Sequence, residues 1–93
     1  MELGVLVSGN LGIHVLNEIS EYYTINFVLT DSNSKDIIKF CNDQNTSIFV
    51  GNPRNNNASQ FLEQQKCDVL ISVNYLFIIE EDLINLPSIL AFN

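Results

Sequence analysis

Positive charge is scarce in this sequence. Lys35, Lys39, Arg54 and Lys66 stand against eleven carboxylates, and the formal net charge is −7. The four are scattered along the chain, whereas nucleic-acid binding draws on clustered cations that displace counterions from phosphates. Composition therefore argues against a nucleic-acid partner, and the acidic excess reads as solvated surface. Metal ligands are equally sparse. His14 is the single histidine, and Cys41 and Cys67 are the two cysteines, with no C-x-x-C spacing around either. That set is too small for a structural or catalytic metal site, so the thiols read as free, buried and held in a reducing compartment. No apolar run approaches the ~18 residues that a membrane span needs, and no basic start followed by an apolar stretch marks a signal peptide. The expectation is a cytoplasmic protein with no membrane partner.

Apolar residues are what the chain has in quantity: 46% of 93 residues, with only 16% charged. Ordinary soluble domains carry roughly 25% charged residues. The length accommodates one domain, 1–93, and the apolar content is too high for disorder. Two explanations of the excess stay open. Asparagine takes the place of charge on the surface, or some apolar surface belongs against another copy of the chain or a carboxyl-terminal half.

Short apolar runs alternate with amphipathic stretches. LGVLV (3–7), INFVL (25–29), SIFV (47–50), DVLISV (68–73) and ILAF (89–92) read as strands, since continuous runs of this length suit parallel strands covered on both faces. Between them, 11–22 reads as a helix with Val15, Leu16, Ile19 and Tyr22 on one stripe. Residues 34–44 give a second helix, with Ile37, Ile38 and Cys41 inward. GNPRNNN (51–57) is a loop by its turn chemistry. Asn57 with Gln60 fits a capping box opening a helix over Ala58, Phe61 and Leu62, and 80–86 gives a last short helix. Each parallel pair needs a right-handed crossover, and the expected fold is α/β: a doubly wound, Rossmann-like, mostly parallel sheet of about five strands with helices on both faces.

Ligands of such sheets bind beyond the carboxyl ends of the strands. The candidate positions are therefore Ser8-Gly9-Asn10, Thr30-Asp31, Gly51-Asn52, Asn74-Tyr75 and Asn93. SGNLG resembles a phosphate-cradling turn at a helix start, although neither G-x-G-x-x-G nor G-K-[ST] is present. A strand-to-helix turn that merely permits tight packing remains the alternative for Ser8, Gly9 and Asn10. Asp31 occupies roughly the place of the ribose acid in nicotinamide-dinucleotide enzymes, without the first-turn fingerprint that goes with it. The acidic triplet Glu80-Glu81-Asp82 fits the positive end of a helix dipole.

The segment CDVLISVNYLFIIEEDLINLPSILAFN, from Cys67 to Asn93, resembles the 10-formyltetrahydrofolate-dependent formyltransferase family. Asp68, Tyr75, Ile78, Ile79, Leu86, Pro87 and Asn93 fall in order on that family's pre-strand Asp, its apolar loop, its Leu-Pro step and its strand-end Asn. SGNLG fits as well, and NNN-x-x-x-FL looks most like the branch that modifies nucleotide-linked amino sugars. Methionyl-tRNA formyltransferases are the neighbouring branch.

The resemblance implies a formyl donor, 10-formyltetrahydrofolate, and a small-molecule amine as its acceptor. Asn74, Tyr75, Leu76, Phe77, Ile78 and Ile79 would form the apolar slot and backbone edge for the pteridine, Ser8, Gly9 and Asn10 the substrate turn, and Asn93 a catalytic amide. The family's catalytic histidine and aspartate would lie beyond Asn93, making the chain an amino-terminal part that is inactive alone. Two other readings compete: a non-catalytic Rossmann-like binding domain, and part of a dinucleotide-binding oxidoreductase.

Overall fold

The computed structural model describes residues 1–77 and 89–92. It is a small α/β domain with an all-parallel sheet. The elements run β1 (Glu2–Val7), α1 (Gly9–Ser20), β2 (Thr24–Thr30), α2 (Lys35–Gln44), β3 (Ser47–Val50), α3 (Ser59–Leu62), β4 (Val69–Val73) and β5 (Ile89–Phe92), and the sheet order is β3-β2-β1-β4-β5. The predicted helix at 80–86, and with it Leu86 and Pro87, lies outside the described residues.

Strand parity divides the interior, as alternating side chains must. Leu3, Val5, Val7, Val28 and Val69 pack with Leu16 of α1 and with Ile37 and Cys41 of α2. Leu6, Phe27, Leu29 and Leu70 pack with Ala58, Leu62 and Cys67. Both cysteines are free and buried. Gly4 makes room for the second cluster. A Cβ there would strike the Phe27 ring, meeting Cζ first and lying 2.7 and 2.9 Å from Cε1 and Cε2.

Two expectations are corrected. The first helix starts two residues earlier than predicted and stops at Ser20, so Tyr22 leaves the stripe and is 76% exposed. The amides of Tyr22 and Tyr23 both close on the Ile19 carbonyl, which turns the chain out of the helix. The capping box at Asn57 does not form. Asn55 and Asn56 are both left-handed, α3 opens after Ala58 with no side-chain cap, and the Asn57 amide donates back to the Asn52 carbonyl at 3.4 Å. At the amino edge, Asp68 ties β4 to β1: its N–H donates to the Glu2 carbonyl at 2.8 Å, and its carboxylate accepts from the Glu2 N–H at 2.9 Å.

Candidate functional site at the carboxyl edge

β1 and β4 are adjacent, parallel and in register through Val7 and Val73. The residues that follow them therefore leave the sheet side by side. The chain passes from β1 to β2 on one flank and reaches β4 on the other, so the crevice at this point lies where the strand order reverses, the usual binding position in open α/β sheets.

The turn out of β1 depends on glycine. Ser8 is extended (φ −144°, ψ 150°) and Gly9 has φ 70°, a left-handed value disfavoured for residues with a Cβ. Asn74, at the exit of β4, also has a positive φ of 54°, and asparagine tolerates this better than most residues. Its side-chain amide donates to the Ser8 carbonyl at 3.1 Å, and the Leu76 N–H donates to Ser8 Oγ at 3.2 Å. The two exits are thus bonded to each other.

Asp31, at the end of β2, is buried beneath them. Its Oδ1 accepts from Ser34 Oγ at 2.7 Å and its Oδ2 from the Asn33 N–H at 3.0 Å. Ser34 Oγ in turn accepts from the Gly9 N–H at 3.0 Å. Burial alone would raise the Asp31 pKa. Hydrogen bonds from the Ser34 and Ser8 hydroxyls and from the Asn33 backbone outweigh it, and the carboxyl is held below its ordinary value.

Ser8, Gly9, Asp31, Asn33, Ser34 and Asn74 to Leu76 line an open cavity of about 410 Å³. A smaller cavity of about 140 Å³ adjoins it at Gly9, Asn33 and Ser34, and reaches Asn10, Lys35 and Asp36. Leu76 is 64% exposed and gives an apolar rim. Tyr75 is half-buried, with its ring edge-on to Phe77 at 5.7 Å and 82°. Its hydroxyl is buried without a hydrogen-bond partner. Burial first, and the Asp31 charge second, raise its pKa above the ordinary phenol value, so the group is a neutral donor.

Of the residues singled out from the sequence, Ser8, Gly9, Asn74, Tyr75 and Leu76 share the larger cavity, Asn10 lines the smaller one, and Phe77 packs on Tyr75. Ile78, Ile79 and Asn93 lie outside the described residues. Asn33 and Ser34 were not anticipated, although D-S-N-S after a strand carries the signature of an Asx turn leading to a helix cap. Asp31 is engaged from within by the Ser34 hydroxyl and the Asn33 N–H, unlike an acid presented to a ribose. Among the described residues no group of three or more His, Cys, Asp or Glu side chains could hold a metal, and no helix is long and apolar enough to cross a membrane. The arrangement can bind a ligand through backbone groups and an apolar rim. No protein-family model and no curated protein matches the chain.

Proposed function

We propose that the chain is the amino-terminal part of the catalytic domain of a cytoplasmic N-formyltransferase, built as a doubly wound Rossmann-like layer with helices on both faces. Its formyl donor is 10-formyltetrahydrofolate, and its acceptor is an amine, in the favoured case an amino sugar on a nucleotide. The observation that supports this reading is the meeting of Ser8-Gly9 with Asn74, Tyr75 and Leu76 around one cavity at the reversal of strand order. The two segments that the resemblance assigns to substrate and to folate are the ones that adjoin.

In formyl transfer the amine attacks the formyl carbon, and negative charge develops on the formyl oxygen. A preorganised donor aimed at that oxygen is worth ~3 kcal/mol or more. β5 runs parallel to β4, with Phe92 beside Ser72, so its carboxyl end points toward the edge that carries the cavity. The reading gives the oxyanion donor to Asn93, next in sequence. The reading assigns the apolar walls to Leu76 and Phe77, with the resemblance adding Ile78 and Ile79, and gives the ring edge to loop backbone groups. The acidic balance of the chain disfavours a tRNA acceptor.

The test is formyl transfer by the whole gene product, with 10-formyltetrahydrofolate and a nucleotide-linked amino sugar, followed as tetrahydrofolate release and formamide formation. Turnover that falls at least a hundredfold in Asn93→Ala is expected. Transfer to methionyl-tRNA alone would move the acceptor to the neighbouring branch, and no transfer to either, with no folate binding, would overturn the reading.

A further inference from the structure

α1 turns an apolar flank to solvent. His14 and Glu18 are the only ionisable side chains among its 12 residues, whereas the outer side of a surface helix is normally charged. Leu11 is 53% exposed. Tyr22 stands just past the end of the helix, its N–H closed on the Ile19 carbonyl, and is exposed as well. Between them Val15 and Ile19 are half-buried, and with the exposed His14 and Glu18 they line an open cavity of about 420 Å³. Leu11, Val15, Glu18 and Tyr22 follow one another at intervals of four, three and four residues. That spacing lays out a single seam, the pattern by which helices pack in pairs.

We infer that this flank is the contact between two copies of the chain, with α1 packing antiparallel on α1 across a two-fold axis at the level between Leu16 and Asn17. A two-fold contact requires a surface complementary to itself, and the order of residues supplies one. The axis sets Leu11 of one copy against Tyr22 of the other, Val15 beside Ile19, and His14 beside Glu18. Apolar side chains meet apolar ones, and an imidazole N–H faces a carboxylate able to accept it. Each pairing occurs twice. A parallel arrangement would instead place Glu18 directly against Glu18, a like-charge contact. The same contact gives the apolar excess of the chain a place, because Leu11 and Tyr22 leave water in it.

The helix is about 18 Å long at 1.5 Å per residue. One flank of that length falls short of the roughly 800 Å² per partner in a standard interface. The dimer is therefore weak and reversible, with a Kd on the order of 10–100 μM.

The test is sedimentation equilibrium of the chain at concentrations spanning that Kd, with no folate present, so its outcome is separate from the formyl-transfer reading. The average mass should rise from 10.5 kDa toward twice that value as concentration increases. Leu11→Ser and Tyr22→Ser, both at exposed positions, should each weaken association about tenfold or more, since each removes the same pair of contacts. Glu18→Lys should weaken it too, and adding His14→Glu in the same chain should restore it to within about threefold, because the axis then sets the new carboxylate beside the new ammonium. Chains carrying Leu11→Cys and Tyr22→Cys, mixed and mildly oxidised, should give the mixed disulfide in preference to either symmetric one, with Cys41 and Cys67 buried and out of reach. A mass of 10.5 kDa throughout the range would overturn the inference. So would a dimer indifferent to Leu11 and Tyr22, as edge-to-edge pairing of β3 would give, or a charge exchange that recovers nothing.

Discussion

Replacing Tyr75 by phenylalanine removes one atom, and that atom is the buried hydroxyl oxygen without a partner. A buried hydroxyl without a hydrogen bond costs about 1–3 kcal/mol relative to its hydrated state. The substitution removes that penalty and breaks no hydrogen bond. The ring keeps its edge-on contact with Phe77 and its place against the Leu6, Phe27 and Leu29 cluster. Tyr75→Phe should therefore stabilise the domain by about 1 kcal/mol. For a domain of this size that raises the thermal midpoint by roughly 4–8 °C. Urea unfolding is the second assay: the midpoint should rise with the slope unchanged, since the surface exposed on unfolding is nearly the same. The same variant should bind folate as the parent chain does, because the hydroxyl oxygen is buried and out of a ligand's reach. Destabilisation by about 1 kcal/mol or more would refute the reasoning, since it would mean that the hydroxyl has a partner whose loss is felt.

Gly4→Ala should destabilise by about 1–3 kcal/mol in urea unfolding, because the new methyl overpacks the core. Phe27 is fully buried and edge-on to Phe61 at 6.2 Å, which leaves its ring little freedom to move aside, and Phe27→Leu in the same chain should recover part of the loss. Burial pushes the Cys41 thiol up to about 12, and burial chiefly, together with the Asp68 charge, raises Cys67. A disulfide reagent at about pH 8 should therefore leave both unmodified in the native chain and label both in urea, since the thiolate is the reacting form. Asp31 contributes stability that is fully present above the ordinary carboxyl value and disappears as pH falls through its lowered folded value; Asp31→Asn should flatten that part of the acid-unfolding curve.

The strands were legible because parallel strands covered on both faces are written as unbroken apolar runs. The runs at 3–7, 25–29 and 47–50 agree with β1, β2 and β3 to within a residue at each end. The start of α1 was hidden by its own chemistry, because Ser8 and a left-handed Gly9 carry the composition of a loop. The Asn57 cap failed for a related reason: two successive left-handed asparagines aim its amide at Asn52 instead of at α3. At the site, the rule that ligands sit past the carboxyl ends of strands led to Ser8, Gly9, Asn74 and Tyr75. It could not lead to Ser34, whose part depends on an N–H from Gly9, 25 positions away. That partnership exists only once α1 and α2 start side by side.

The central claim is that the crevice between the ends of β1 and β4 holds the formyl donor. Amide NMR of the chain during titration with 5-formyltetrahydrofolate, a stable analogue, tests it most directly. The account predicts saturable shifts at Ser8, Gly9, Asn74 and Leu76. Shifts confined to His14, Val15, Glu18 and Ile19, which line a separate cavity of about 420 Å³ on α1, or no saturable shift at all, would contradict it.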